Sequence, residues 1–272
     1  MDRYNPTHLI EQATELYQNG EIHKSMELLQ KGTEIFPDWP APYYNLGIVY
    51  KGQRNWEQSY MAFEQVLKLD NKDIYSWWHF GIASTALKNW KSARRAWVAI
   101  GFEIEINDEE LILNLDSSPI RINPDSNPEV VWCDRIDPAR AVICNIPFPG
   151  SGHRFGDIIL NDNVHEGLKE SDGIEYPILN EIQLLVKSKY STCSTYLYTG
   201  NQQHYDSLEE LCDAAGVKIE NWPSQLRKRR KSNVKQIYVG FAALKKELLI
   251  AVLANWKTIT SCEHSELTIE LE

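Results

Sequence analysis

Aromatic and small residues recur at an interval of 34 along residues 6–104 of this sequence. When residues 40–73 are laid over residues 74–107, the following pairs coincide: Tyr44 with Trp78, Gly47 with Gly81, Trp56 with Trp90, Ser59 with Ala93, and Phe63 with Trp97. A shift back by the same interval places Gly47 on Ala13 and Ser59 on Ser25. A unit of this length cannot bury its apolar face alone, so it packs as a pair of antiparallel helices against the next pair.

The middle copy resembles the tetratricopeptide repeat. Its matching residues are Tyr43, Tyr44, Asn45, Leu46, Gly47, Tyr50, Trp56, Ser59, Phe63, Val66 and Leu69. The third copy departs from the family pattern at Phe80 and Ser84, and the first copy departs at Ala13 and Gly32. We therefore predict three tetratricopeptide-like repeats over residues 1–105, in a chain of the α+β class.

The resemblance also implies a binding surface, because in this family the first helix of each pair lines a concave groove. The positions that match are Ile10, Thr14, Tyr17, Tyr44, Ile48, Lys51, Tyr75, Trp78, Ile82 and Thr85. One subclass of the family binds carboxylate tails with a clamp that includes cationic side chains. In this sequence Tyr75 and His79 occupy positions where that clamp needs cations, so the subclass does not fit. An aromatic and aliphatic strip instead suits a helix or an extended apolar segment of a protein partner. The alternative is that part of the strip packs against the second half of the chain.

The sequence after the third repeat indicates strands rather than further helices. Residues 100–106 alternate apolar and acidic side chains, which predicts a strand, and we expect the following domain to cap the third repeat. An α+β domain is predicted over residues 106–272, and its first part, residues 106–189, is rich in β-strands. After a turn-rich stretch at residues 117–128, strands are predicted at 130–133, 141–146 and 156–160.

Residues 190–272 show a regular order of elements. The predicted order is strand 192–199, helix 203–215, strand 217–222, strand 236–242, helix 244–256 and strand 267–271. Two successive strand–helix–strand units predict a ferredoxin-like arrangement.

Charge is distributed unevenly along the chain. The net charge is −10 overall, but residues 106–226 carry 8 basic and 20 acidic residues, a net −12. Residues 227–272 are net +4, with a cluster at Arg227–Lys231. A strongly acidic segment repels phosphate backbones and attracts basic proteins. We expect a protein partner that is basic or carries an apolar segment, and we do not expect nucleic acid.

Neither membrane insertion nor metal binding is predicted. The longest strongly apolar run, residues 248–254, is far shorter than a membrane helix, and no secretory signal is recognisable, so a cytoplasmic protein is expected.

The cysteines are scattered: Cys133, Cys144, Cys193, Cys212 and Cys262. No pair of them has the spacing of a zinc site, so we predict no metal, no cofactor and no disulfide framework.

One loop has the composition of an active site. Residues 150–157 place His153, Arg154 and Asp157 among three glycines, and Asp162 and His165 follow. Neither a phosphate-binding loop nor a metal site has this spacing. The enzymatic alternative therefore competes with a simpler interpretation, in which His153 or Arg154 is hydrogen-bonded to carboxylates in a turn.

The basic cluster Arg227–Lys231 suggests a second alternative. In the ferredoxin-like arrangement Tyr196 and Tyr198 would share a sheet face with Tyr238, as in domains that stack RNA bases. The strand that contains Tyr238 lacks the RNA-domain signature, and the acidic segment opposes RNA binding.

The sequence therefore favours a non-enzymatic protein that binds a protein partner. Burial of Tyr44, Tyr75 and Trp78 against the partner would provide affinity, and the acidic segment would steer a basic protein. A concrete version is an immunity-type inhibitor, an acidic protein that blocks a basic toxin enzyme.

Overall fold

The computed structural model describes residues 5–223 and 235–271. The chain forms two compact units. One comprises Met1–Leu113 with Asp137–Ala139, and the other comprises Asn114–Ile136 with Arg140–Glu272. Among the described residues, no helix combines the length and the hydropathy needed to cross a bilayer.

The first unit contains, in its described part, three helical hairpins like those of tetratricopeptide repeats. Their helices are α1 (Pro6–Gln18), α2 (Ile22–Ile35), α3 (Pro40–Gly52), α4 (Trp56–Leu69), α5 (Ile74–Ala86) and α6 (Trp90–Ala99). The turn within each hairpin uses a left-handed residue at the same repeat position: Gly20, Arg54 and Lys88. Asn55 and Asn89 then cap α4 and α6 by accepting a backbone N–H three residues later. The sequence period of 34 is therefore a structural period.

The glycine of a hairpin lies under an aromatic ring of the helix that follows. A Cβ atom added at Gly47 would lie 2.7 Å from the ring of Phe63, and one added at Gly81 would lie 2.5 Å from the ring of Trp97. Hydrogen bonds repeat in the same way, since the Ser25 hydroxyl donates to the Ala13 carbonyl at 2.7 Å and Ser59 donates to Gly47 at 3.0 Å. These contacts fix the distance between the two helices of a hairpin.

Replacing Gly47 with alanine should destabilise the protein, because the new methyl group would overlap the fully buried ring of Phe63. We expect the free energy of unfolding to fall by about 1–3 kcal/mol, the usual cost of overpacking. Denaturant unfolding measures this change. The double variant Gly47→Ala/Phe63→Leu should lose less than the sum of the two single variants, because the smaller side chain makes room. Strictly additive losses would contradict this packing.

The segment after α6 is not a strand. Residues 101–117 contain no regular secondary structure, so the strand predicted at 100–106 is wrong. Its carbonyl groups bind an arginine rather than a neighbouring strand. The guanidinium group of Arg94, on α6, donates to the carbonyls of Glu105 at 2.9 Å, Glu109 at 3.1 Å and Glu110 at 3.3 Å. The third hairpin is thus covered by residues of its own unit, and this unit continues to Leu113 rather than ending at residue 105.

Arg94→Met should destabilise the helical unit. The variant keeps the aliphatic volume of this buried side chain but leaves three carbonyl groups without their donor. We expect a loss of about 2 kcal/mol in the free energy of unfolding. Arg95→Met is the matched control, because Arg95 is exposed on the same helix, and its effect should stay within about 0.5 kcal/mol. Equal effects of the two variants would argue against the cap.

The second unit begins with a closed barrel. Its strands are β1 (Ser118–Ile122), β2 (Glu129–Arg135), β3 (Arg140–Ile143), β4 (Ile158–Ser171) and β5 (Ile174–Val186). Neighbours in sequence pair antiparallel, and β1 closes the barrel by pairing parallel to β5, with Ile120 opposite Leu179. The core consists of alternate residues of the strands: Ile120, Ile122, Val131, Cys133, Ala141, Ile143, Ile159 and Leu179.

A four-stranded sheet with two helices follows the barrel. Its elements are β6 (Ser191–Leu197), α7 (Gln202–Ala215), β7 (Lys218–Asn221), β8 (Ile237–Ala243), α8 (Lys246–Thr260) and β9 (Thr268–Leu271). The strand order is β7-β8-β6-β9, and each neighbouring pair is antiparallel. This confirms the predicted pair of strand–helix–strand units in the ferredoxin-like order.

Both faces of this sheet are buried. Val239 and Phe241 of β8 pack in the core that contains residues of α7 and α8. Tyr238 and Ala242 face the opposite side and pack with Trp222. The Trp222 ring lies so close to the backbone of β8 that a Cβ atom at Gly240 would be 2.2 Å from it. The indole N–H of Trp222 donates to the carbonyl of Ile146 at 3.1 Å, which fastens the sheet to the segment after β3.

Candidate protein-binding groove

The first two hairpins enclose a cavity of about 110 Å3 on the surface formed by α1, α2 and α3. Its lining residues are Ala13, Thr14, Tyr17, Ser25, Leu29, Asn45, Ile48 and Val49. Thr14, Tyr17 and Ile48 belong to the predicted groove strip. The sequence-based prediction took groove residues only from the first helix of each repeat, so it did not include Ser25 and Leu29, which lie on α2. Their place in the 34-residue period is the signal that could have found them.

Three polar side chains of this cavity, those of Thr14, Ser25 and Asn45, already donate hydrogen bonds within the helical unit. The Thr14 hydroxyl donates to the carbonyl of Ile10 at 2.8 Å, and the Asn45 amide donates to the carbonyl of Ala41 at 2.9 Å. The Ser25 hydroxyl donates across the hairpin to Ala13. The cavity walls therefore consist largely of methyl groups and the Tyr17 ring, and they favour an apolar side chain of a partner.

The structure places the ten predicted groove residues at different depths. Tyr75 is 68% exposed, and Thr14 is also exposed. Six residues are half-buried: Ile10, Tyr17, Tyr44, Ile48, Lys51 and Trp78. Ile82 and Thr85 are 0% and 2% exposed, so neither offers surface to a partner in this structure. Most residues of α5 are buried, and these two belong to that core.

Tyr44 packs within an aromatic cluster rather than standing free in solvent. Its ring lies 5.6 Å from that of Phe63 and 5.9 Å from that of His79, both edge-to-face. His79 in turn stacks on Phe63 at 5.1 Å and lies, through Nδ1, 3.3 Å from the Lys51 Nζ. Because an ammonium group only donates, His79 accepts here. The cluster links α3, α4 and α5.

Trp78 is also part of the packing of its own hairpin. Its ring meets that of Trp97 edge-to-face at 5.2 Å. The indole N–H of Trp78 is buried and has no hydrogen-bond acceptor among the described residues. Truncating Trp78 or Tyr44 would open a cavity in the repeat, so neither ring is a clean test of partner binding. Exposed groove residues serve that purpose better.

The glycine-rich loop is organised by buried hydrogen bonds. Nε2 of His153 lies 2.7 Å from the Glu181 carboxylate, and Nδ1 lies 3.2 Å from the Ser151 carbonyl. The Asp157 carboxylate accepts backbone N–H groups from Arg154 at 2.8 Å and Ser188 at 2.7 Å. Both ring nitrogens of His153 thus face acceptors, an arrangement that suits the protonated imidazole. The contacts match the simpler interpretation of this loop as a turn.

No metal site accompanies the loop. Within residues 5–223 and 235–271, no group of three or more His, Cys, Asp and Glu side chains could hold a metal ion. The ring of His165 lies, through Nδ1, 3.2 Å from the carbonyl of nearby Asn163, and His165 is exposed, whereas His153 is buried.

Protonation of His153 makes stability depend on pH. Burial lowers its pKa, but the carboxylate of Glu181 and the carbonyl of Ser151 raise it more, so the net pKa lies above the ordinary value. The pair therefore stabilises the fold fully below about pH 6.5, the value in the unfolded chain, and this stabilisation is lost as the pH rises through the folded-state pKa.

Comparison with His153→Gln isolates this contribution from that of other groups, such as Glu129, whose pKa burial raises to about 7. The stability gap between the wild type and His153→Gln should shrink as the pH rises from about 5.5 to about 9, a range that brackets the ordinary pKa of histidine. Denaturant unfolding across this range measures the gap. A gap that does not change with pH would show that folding does not raise the pKa of His153.

Two tyrosines of the RNA-binding alternative, Tyr196 and Tyr238, share a sheet face as predicted, but that face is covered. The third, Tyr198, lies beyond the end of β6. Tyr196 stacks on Tyr238 with ring centroids 4.6 Å apart. Trp222 packs on Tyr238 at 5.3 Å, and Ile146 belongs to the same buried cluster. A base therefore cannot stack on Tyr238 without displacing this cluster. The basic cluster Arg227–Lys231 lies outside the described residues.

Comparisons with solved structures find helical-repeat proteins. The first tetratricopeptide domain of Spaghetti (RPAP3), bound to an HSP90 peptide, is 16% identical with a TM-score of 0.33, over 35% of this chain and 75% of that chain. A CopN–Scc3 complex is 18% identical with a TM-score of 0.32, over 35% of this chain and 58% of that chain. MamA is 16% identical with a TM-score of 0.33, over 36% of this chain and 57% of that chain.

No family model matches the sequence, and no curated protein matches it either. The tetratricopeptide-like nature of the hairpins is seen in the chain itself, in the 34-residue period and in the aromatic ring seated on each of Gly47 and Gly81.

Proposed function

We propose that this chain is a non-enzymatic protein that binds a protein partner in the groove of its helical unit. The observation that carries the proposal is the cavity of about 110 Å3, which is lined by three residues of the predicted strip, Thr14, Tyr17 and Ile48. A cavity of this size accommodates a side chain rather than a cofactor, and its walls favour an apolar one.

The partner would present an apolar anchor within a basic surface. Tyr75, exposed on α5, extends the contact surface beyond the cavity and provides an aromatic ring of the kind that is frequent at interfaces. The net charge of −12 over residues 106–226 would attract a basic protein and speed its association. An acidic immunity-type inhibitor of a basic toxin enzyme in the cytoplasm combines these properties, and it is the specific form of the proposal.

The groove can be tested with a pair of matched arginine variants. Thr14→Arg places a long side chain at the mouth of the cavity, and because Thr14 is exposed the fold should be retained. Met61→Arg is the control, since Met61 is 58% exposed on α4 and does not line the cavity. A partner captured by the tagged wild type and identified by mass spectrometry would then be titrated calorimetrically against each variant.

We expect Thr14→Arg to weaken binding by about 2 kcal/mol or more, roughly 30-fold, and Met61→Arg to leave it unchanged. The association rate of the wild type should also fall as salt is added. Normal binding by Thr14→Arg would eliminate the groove. A partner that is lost on ribonuclease treatment would replace the proposal with RNA binding.

A further inference from the structure

The end of α8 brings a cysteine against a histidine in the second unit. Ser261 ends α8 in a left-handed conformation with φ of 56°, and Cys262 follows it. The Cys262 Sγ lies 3.0 Å from Nδ1 of His204, a residue in the first turn of α7. The Trp256 indole donates to the His204 carbonyl at 2.7 Å, so the backbone that carries the histidine is tied to α8. Both Cys262 and His204 are half-buried.

The surroundings of His204 allow it to hold the proton of the thiol. The Thr199 Oγ1 lies 2.9 Å from the same Nδ1, and this oxygen also accepts the Asn201 N–H at 3.1 Å. An unprotonated Nδ1 has a lone pair that can accept the thiol proton of Cys262. Once it is protonated, Nδ1 can donate to the Cys262 sulfur while the Thr199 oxygen accepts from Asn201.

The neighbours of Cys262 differ from those of the other cysteines. Cys133, Cys193 and Cys212 are buried, and burial raises the pKa of the Cys212 thiol to about 12. Cys144 is half-buried like Cys262, but burial and the adjacent carboxylate of Asp134 raise the pKa of its thiol to about 11. Cys144 thus lies beside the carboxylate of Asp134, whereas Cys262 lies beside the imidazole of His204. Cys144 therefore serves as an internal control.

We propose that Cys262 is a thiol-modification site that forms a mixed disulfide with low-molecular-weight disulfides, with His204 as its base. The Cys262 proton moves to Nδ1 of His204, and the sulfur attacks one sulfur of the small disulfide. The S–S bond of the reagent breaks as the new S–S bond forms, and the leaving thiolate takes up the proton from His204. This nucleophile-and-base arrangement is independent of the groove.

Oxidised glutathione is a suitable probe. The full chain would be incubated with it at neutral pH, and the modified cysteines would be located by peptide mass spectrometry over time. We expect Cys262 to be modified before Cys144. His204→Gln should slow the modification of Cys262 about tenfold or more, because it removes the base but keeps a polar side chain. Cys144→Ser should leave the rate at Cys262 unchanged.

Two measurements separate the effect of His204 from a change in folding. Circular dichroism compares the folds of the wild type and His204→Gln. In the wild type alone, the ratio of the rates at Cys262 and Cys144 should be much larger in the native protein than in denaturant, where the His204 contact is lost. An equal ratio in the two states would overturn the proposal, as would an unchanged rate at Cys262 in a folded His204→Gln variant.

Discussion

The helical unit depends on an aromatic ring resting on a glycine backbone. Phe63 on Gly47 and Trp97 on Gly81 set the separation between paired helices, because each ring packs directly against a backbone that carries no side chain. His79, stacked on Phe63, joins α5 to the same contact. The packing of the second and third hairpins therefore depends on one repeated contact.

Local patterns predicted the elements of this chain better than their long-range pairing. The 34-residue period placed Gly47 and Gly81 correctly, and the strand predicted at 236–242 corresponds to β8. Strand β1 was missed because Pro119 and the polar turns that follow it resemble a loop. Its pairing with β5, which closes the barrel, joins residues far apart in sequence and leaves no local signal. Similarly, the strand-like alternation after α6 could not show that Arg94 would occupy the carbonyl groups.

In the candidate site, too, the sequence predicted local positions but not what depends on long-range packing. Position matching identified the wall residues Thr14, Tyr17 and Ile48, because the family pattern fixes which side of a first helix is concave. It could not foresee that Ile82 and Thr85 would be buried, since exposure depends on everything that packs around α5 and not on the repeat position. Neither could it foresee the contact between Cys262 and His204, which joins the end of one helix to the start of another. Such pairs are visible only in three dimensions.

The left-handed turn residues of the hairpins have a consequence for surface charge. Gly20 adopts this conformation without strain, whereas Arg54 and Lys88 hold φ angles of 57° that cost an L-residue about 1–2 kcal/mol. Glycine would remove this strain but would restore chain entropy to the unfolded state, roughly 0.5–1 kcal/mol. The entropy term offsets about half of the strain, so the position tolerates a long cationic side chain. Arg54 and Lys88, both exposed, therefore place two positive charges one repeat apart along the same edge of the hairpins.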